Sequence, residues 1–250
     1  MLKLIIIISG LLTLGACHGP SEKEGSETSS ASQSSILYAE KPPAIDARAT
    51  ESIWKKQDWK PIDQNWVGGD YTPEDFSGRY KLAWDQNYIY VLAEIIDDTL
   101  IDIHPDGLDR YWDDDCLEIF VDEDASGGNH QYNHQAFAYH ISLDQRVTDM
   151  GVDSTARYFD SHLESMHRRS GNTSLWEVRM KLFDKDFRED KQNTPVRLEE
   201  GKKVGFAIAY CDNDTSQTRE NFIGSEVVEG EDKNRGWIDA GIFRKYELKK

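Results

Sequence analysis

Positive charge is scarce in this chain. Its 250 residues include 29 lysines and arginines against 46 aspartates and glutamates, which gives a formal net charge of −17. Proteins bind nucleic-acid phosphates through clustered basic side chains, so this balance argues against a nucleic-acid partner. It favours neutral sugars or cations as ligands.

Sulfur-bearing side chains are also few, with three cysteines and four methionines, one of which is the initiator. No CxxC motif or Cys/His spacing suggests a zinc site. Cys116 and Cys211 fall in strand-like segments, where they are either two buried thiols or a disulfide pair.

The apolar run at residues 4–14 is too short to span a bilayer comfortably. It follows Lys3 and leads into Leu14-Gly15-Ala16-Cys17, which resembles a bacterial lipobox. The resemblance implies a signal peptide over residues 1–16 and a lipid-bearing Cys17 that anchors the protein to a membrane. His18 replaces the aspartate that commonly retains lipoproteins at the inner membrane, so we expect an outer-membrane lipoprotein on the periplasmic or cell-surface side. A cleaved secretory peptide with a coincidental cysteine is the alternative.

Residues 17–35 are predicted to form a flexible tether. Seven of the fifteen residues from 21 to 35 are serine, and none is a large apolar residue. Such a segment buries too little surface to offset the entropy lost on ordering. The folded domain is therefore expected over residues 36–250.

Period-2 alternation of apolar and polar residues dominates the rest of the chain, which predicts strands. The clearest runs are 80–84, 89–95, 116–121, 137–143 and 176–182, while 204–210 is apolar on both sides, as expected of a central strand. Helical spacing is confined to turns near 51–56 and 184–188. The pattern predicts an all-β fold, an antiparallel two-sheet sandwich of jelly-roll or immunoglobulin-like type.

The segment from Trp112 to Asp124 carries the strongest functional signal. It places an indole in an acidic loop that leads into an alternating strand, with Glu118 on the face opposite Leu117 and Ile119. A carboxylate accepts hydrogen bonds from adjacent hydroxyls, and an indole covers the C–H face of a sugar ring. The segment is therefore either a carbohydrate site or a solvated acidic turn before an edge strand.

Three motifs in order resemble carbohydrate-binding module family 9, over about residues 40 to 248. They are Ile45-Asp46 with Trp54 and Trp59; Leu82-Ala83-Trp84-Asp85 with Tyr88-Ile89-Tyr90-Val91 and Asp97; and Trp112-x-x-Asp115-x-x-Glu118-Ile119-Phe120-x-Asp122. The resemblance implies an antiparallel β-sandwich without catalytic activity, calcium in some members, and a sugar held between two tryptophans.

The same resemblance implies that an arginine, an asparagine and a second tryptophan complete the site. Arg219 and Asn213 are the candidates for the polar groups, and Trp237 is the candidate for the second indole. Trp237 alternatively packs under the C-terminal strand with Ile238 and Phe243.

The connection between residues 97 and 115 is rich in aspartate. Calcium requires several hard oxygen ligands in an irregular loop, and the candidates here are Asp97, Asp98, Asp113 and Asp114. The spacing matches no EF-hand loop, so a solvated acidic loop is the alternative. If calcium binds, it fixes the position of Trp112.

The sequence thus favours a non-catalytic carbohydrate-binding lipoprotein that holds a mono-, oligo- or polysaccharide with Trp112 and Glu118. One alternative is a haem-binding electron-transfer domain with axial ligands drawn from Met150, Met166, His134, His140, His162 and His167. The other is a glycoside hydrolase using Glu118 and Asp115, although these side chains are expected to point in different directions. If no metal or haem binds, the histidines around the 130–140 hairpin, His130, His134 and His140, are expected to be surface residues.

Overall fold

The computed structural model describes residues 34–250, whose regular structure is almost entirely strand. The strands are β1 Ser35–Tyr38, β2 Lys60–Ile62, β3 Gln64–Val67, β4 Phe76–Trp84, β5 Ile89–Asp97, β6 Cys116–Asp122, β7 Phe137–Ser142, β8 Val147–Met150, β9 Ala156–Tyr158, β10 Leu163–Ser170, β11 Thr173–Met180, β12 Lys203–Asp212, β13 Asn221–Gly224 and β14 Arg244–Lys249. Helix within residues 34–250 is limited to α1, Ser52–Lys55, and a 3₁₀ turn, Ala240–Ile242. The predicted signal peptide, Cys17 and tether residues 18–33 lie outside the described residues.

The strands form one hydrogen-bonded network that folds into two facing layers. Its order is β10-β11-β5-β4-β1-β14-β12-β6-β7-β8-β9, with β2 on β4 and with β13 and β3 continuing from β12. Paired strands are antiparallel, except that β1 runs parallel to both β4 and β14. The predicted two-sheet sandwich is confirmed, and β1 and β14 join its layers.

One hydrophobic core fills the space between the layers. Trp84 and Trp176 from one layer and Ile119 and Tyr139 from the other are fully buried within it. Alternate residues of each strand point inward, which is how period-2 sequences supply both layers of a sandwich. Burying one such side chain stabilises the fold by about 1.5 to 3 kcal/mol.

Strand β6 lies in the middle of its layer, between β12 and β7. Leu117, Ile119 and Val121 point into the core, while Cys116 and Phe120 belong to a second apolar cluster on the outward face. The predicted alternation is confirmed, and the edge-strand alternative is wrong. Because the outward face is also covered, all seven residues of β6 are buried.

The two predicted helical turns have different outcomes. The turn near 51–56 is α1, whereas 184–188 contains no helix. Asp184 accepts a hydrogen bond from the Asp186 N–H at 2.9 Å, and the Asn193 side chain accepts one from the Arg188 N–H at 2.9 Å. These side chains compete for the N–H groups that a helix would use.

Within residues 34–250, no helix combines the length and the hydropathy that crossing a membrane requires.

Candidate functional site

A cavity of about 340 Å³ lies against the outward face of β6 and β7. Its floor is polar and comes from strands, whereas its aromatic rings come from loops. The lining residues are Tyr111, Trp112, Glu118, His130, Tyr132, Asn133, Ala136, Ala138, His140, Asp149, Met150, Arg219, Asn234 and Trp237. Four of the five sugar-site residues predicted from sequence therefore converge on one concave surface.

Glu118 and His140 form a buried ion pair on the floor. They are register partners on β6 and β7, and the His140 Nε2 lies 3.0 Å from a Glu118 carboxylate oxygen. Burial raises the pKa of Glu118, with His140 opposing that shift. Burial alone would lower the pKa of His140, yet the Glu118 carboxylate raises it to about 10. The imidazole therefore holds a proton, and Glu118 retains a second oxygen that can accept from a ligand hydroxyl.

Two aromatic pairs supply the flat surfaces of the cavity. Tyr111 and Trp112, in the β5–β6 connection, pack edge to face with centroids 4.9 Å apart. Tyr132, in the β6–β7 connection, packs on Trp237, in the β13–β14 connection, at 6.3 Å. Trp112 is 37% exposed. Trp237 is partly buried against the second apolar cluster and also lines the cavity.

Arg219 reaches the cavity from the β12–β13 loop. Its guanidinium lies 4.1 Å from the centroid of the Phe222 ring and donates to the Cys211 Sγ at 3.2 Å. These contacts fix the orientation of the Arg219 guanidinium beside the Glu118 carboxylate. The arrangement provides donors and an acceptor for adjacent hydroxyls in one small volume.

Asn213 does not line this cavity. Its side-chain amide donates to the backbone carbonyls of Asp113 and Ser216 and accepts from the Ser216 N–H, with distances of 2.7 to 3.0 Å. It is fully buried, and its polar atoms are satisfied within the loop. The amides that line the cavity are Asn133 and Asn234 instead.

The expectation that the hairpin histidines are surface residues is wrong. His130, His134 and His140 are only 4%, 6% and 8% exposed. His130 Nε2 lies 2.7 Å from the Gly236 carbonyl, and His134 Nε2 lies 2.7 Å from Glu189. The long β6–β7 connection folds back against other loops, an arrangement that local sequence does not show.

The haem and hydrolase alternatives place few of their candidate residues at this cavity. Of the haem-ligand candidates, His140 and Met150 line it, whereas His162 is hydrogen-bonded to Tyr139 at 2.7 Å and His167 to Gln145 at 2.6 Å. Asp115, the suggested partner of Glu118 in hydrolysis, is absent from the cavity lining.

A second polar feature lies where β5 and β12 end and β6 begins. Carboxylate oxygens of Asp97, Asp115 and Asp212 lie within 4.8 Å of one another, and all three residues are buried. Asp98 and Asp214 form an overlapping group with Asp97. This set is called the carboxylate cluster below. It contains two of the four predicted calcium ligands, Asp97 and Asp98.

Asp113 and Asp114 do not join the carboxylate cluster. Asp114 accepts from the backbone N–H groups of Ile103 and His104, both at 3.0 Å, and lies 2.8 Å from the His104 ring. The Asp113 carboxylate accepts from the Arg219 N–H at 3.3 Å, which ties the loop of Trp112 to that of Arg219. Both side chains therefore organise loops around the cavity.

The carboxylate cluster fits a hard cation. Both carboxylate oxygens of Asp212 are buried and have no hydrogen-bond partner. Burial, reinforced by nearby carboxylates, raises the pKa of Asp115 to about 9 and that of Asp212 to about 8. Calcium takes six to eight oxygens, so buried carboxylates with spare lone pairs are the donor set that it requires.

Fold and site together define a class: a β-sandwich binding module with an aromatic-lined cavity on the outward face of one sheet. A family model described as "Carbohydrate family 9 binding domain-like" matches residues 45–250, and the chain belongs to this family. The comparison with curated proteins finds no significant match.

Solved structures share the fold at low identity. A family 9 carbohydrate-binding module from Caldicellulosiruptor kristjanssonii in complex with cellotriose is 18% identical with a TM-score of 0.61, over 86% of this chain and 93% of that chain. One from the same organism in complex with glucose is 20% identical with a TM-score of 0.61, over 86% and 95%. A proposed carbohydrate-binding protein from Bacteroides uniformis ATCC 8492 is 12% identical with a TM-score of 0.56, over 87% and 100%.

Proposed function

We propose that this protein is a non-catalytic carbohydrate-binding lipoprotein whose sugar lies in the cavity against β6 and β7. The observation that carries the proposal is the convergence of Trp112, Glu118, Arg219 and Trp237 on that one cavity. The cavity combines flat apolar rings with a few fixed polar groups, which is the usual composition of a small-ligand site.

The lining suggests how a sugar ring is held. An indole covers the axial C–H groups of the ring, while Glu118 accepts hydrogen bonds from adjacent hydroxyls and Arg219 donates to their oxygens. The Glu118–His140 pair and the Arg219–Phe222 contact fix these groups before the ligand arrives. Such preorganisation lowers the entropy lost on binding.

The absence of catalysis is part of the proposal and is supported by the second carboxylate in the lining. Asp149 accepts from the backbone N–H groups of Ala138 at 3.0 Å and Met150 at 2.7 Å. Its lone pairs serve the backbone, whereas a hydrolytic base must be available to water or to the sugar.

The test is calorimetric titration of the protein with glucose and cellotriose, the ligands of the solved relatives, followed by a wider glycan panel. We expect dissociation constants in the micromolar to millimolar range, because one ring between aromatic plates buries little area. Glu118→Gln should weaken binding about tenfold or more, since hydrogen bonds to charged groups contribute about 1.5 to 3 kcal/mol.

Glu164→Gln is the matched control, because Glu164 lies on β10, is exposed and does not line the cavity. It should bind as tightly as the unmodified protein. Equal affinity of the Glu118→Gln variant, with its fold verified by circular dichroism, would refute the assigned role of Glu118.

We also infer that Cys17 carries the lipid and that the protein is held at the outer membrane, as the lipobox-like segment implies. Metabolic labelling with a radioactive fatty acid tests this inference. Label should enter the protein and be lost in Cys17→Ser, with the Cys116→Ser variant retaining it. Label that persists in Cys17→Ser would exclude this anchor.

Calcium is proposed as the resident ion of the carboxylate cluster. When bound, it supplies charge neutralisation for Asp97, Asp115 and Asp212. Asp115 also accepts from the Asn213 N–H at 3.0 Å, so the cluster connects the start of β6 with the loop that carries Arg219. The proposed ion therefore stabilises the loops that border the sugar cavity.

A further inference from the structure

Beside the cavity floor, three strands bring two thiols and an imidazole together. Cys116 on β6 lies opposite Cys211 on β12 in the strand register, and His140 lies on β7, the other neighbour of β6. One ligand atom from each lies within 4.8 Å of the others. Both cysteines are fully buried free thiols, and His140 is 8% exposed.

The surrounding hydrogen bonds resemble those of a metal site. His140 Nδ1 lies 3.3 Å from the Ala138 carbonyl, a contact that orients the ring. Nε2, which pairs with Glu118 at 3.0 Å, is the nitrogen that coordinates the cation once its proton has left. Arg219 donates to the Cys211 Sγ at 3.2 Å. Donation from a cation stabilises a thiolate, which is the form of cysteine that binds metals.

The surroundings of the two thiols favour ionisation of Cys211. Burial works against a thiolate at Cys211, but contacts with Cys116, Arg219 and His140 outweigh it and lower the pKa of Cys211. The hydrogen bond with Cys211 and burial raise the pKa of Cys116. Arg219 and His140 therefore offset the cost of burying a thiolate at Cys211.

Two cavities border this cluster. His140 lines the sugar cavity and also a smaller cavity of about 110 Å³, which Cys116 lines as well. The smaller cavity is bordered by Asp102, Asp114 and Asp144, whose charges attract cations.

We propose that Cys116, Cys211 and His140 bind one thiophilic cation of the Zn²⁺ type, with Glu118 as a neighbouring negative charge beside His140. Binding is an exchange: the cation replaces the protons on sulfur and on Nε2, which leave to solvent, and no electron moves. Two thiolates and Glu118 balance the divalent cation and Arg219, so the filled site is neutral. A Cys₂His set matches the three protein ligands of a tetrahedral zinc site whose fourth position is open.

The test uses Co²⁺ as a spectroscopic probe of the full chain. The protein is reduced with a phosphine, stripped with a chelator, and titrated in excess Ca²⁺ so that the carboxylate cluster is occupied. We expect one equivalent of Co²⁺ to produce a thiolate-to-cobalt charge-transfer band and the intense visible bands of tetrahedral coordination. Zn²⁺ should displace it stoichiometrically, with submicromolar affinity.

Substitutions distinguish the residues that bind the cation from neighbouring residues that do not. Cys116→Ser and Cys211→Ser should abolish the charge-transfer band, and His140→Gln should weaken Co²⁺ binding about a hundredfold or more, since even partners outside the coordination sphere contribute about 10- to 100-fold. His167→Gln is the matched control, because His167 bonds to Gln145 away from the cluster. It should give the spectrum of the unmodified protein.

Thiol titration and circular dichroism accompany each sample. If the unmodified protein is folded, has Cys116 and Cys211 as free thiols when counted after denaturation, and shows no charge-transfer band, the site does not exist. A Cys116–Cys211 disulfide that survives the reductant would equally overturn the proposal, because no thiolate would remain to bind the cation.

Discussion

Replacing Trp112 with alanine is expected to weaken sugar binding about thirtyfold, equivalent to about 2 kcal/mol, the loss typical of an aromatic residue that dominates an interface. The indole lines the cavity, is 37% exposed and contacts Tyr111 edge to face. Because it is exposed, its removal should leave the core and the thermal midpoint almost unchanged. Calorimetric titration with cellotriose, or with the tightest ligand of the glycan panel, measures the effect.

Trp59→Ala is the matched control for this experiment. Trp59 is another half-buried indole, but it lies outside the cavity and stacks against Arg79 at 4.4 Å and Lys81 at 4.5 Å. Its removal should leave sugar affinity unchanged. Undiminished affinity in the folded Trp112→Ala protein would show that the ring contributes nothing to binding, and the cavity would then need another sugar platform.

The fold was largely predictable because β-sandwich sequences carry their layers in a local pattern. Alternation at 80–84, 89–95 and 116–121 identifies which residues face the core, and β4, β5 and β6 follow those runs closely. The pattern does not predict strand order or the parallel pairing of β1 with β4 and β14. These depend on contacts between residues far apart in the chain.

The site was predictable where aromatic and acidic residues share one segment, as with Trp112 and Glu118. Tyr132 and His140 were missed as lining residues because they lie in the β6–β7 connection and on β7, which carry no family-like motif. Asn213, by contrast, was predicted to line the site and does not. An amide at a strand end can read sugar hydroxyls or close a loop, and only the contacts of Asn213 with Asp113 and Ser216 show which of these it does here.

The Cys116–His140–Cys211 cluster and the carboxylate cluster show more clearly what sequence spacing cannot predict. Sequence spacing suggests no zinc site, yet Cys116, His140 and Cys211 meet because β7, β6 and β12 are neighbours. The calcium candidates were chosen from one loop, whereas the carboxylate cluster draws Asp212 and Asp214 from a distant strand end. Spacing rules detect only sites whose ligands come from one or two short segments.

Calcium is expected to raise the thermal midpoint by about 5 to 10 °C relative to protein in EDTA. A ligand at one hundred times its dissociation constant stabilises the native state by about 2.7 kcal/mol, and a domain of this size gains about 2 to 4 °C per kcal/mol. The reason is electrostatic, since Asp97, Asp115 and Asp212 are buried with their oxygens close together. Calorimetric melting with added Ca²⁺ and with chelator measures the difference.

Asp212→Asn distinguishes a calcium site from a general loss of packing, because its two expected effects have opposite signs. In EDTA the variant should be as stable as the unmodified protein or more stable, since it removes one of three crowded carboxylates. In Ca²⁺ it should be less stable, because a ligand charge is missing. Asp109→Asn, an exposed change in the same β5–β6 connection, should keep the full calcium response. If Asp212→Asn lowers the midpoint equally with and without calcium, the carboxylates contribute only to packing and the ion has no site there.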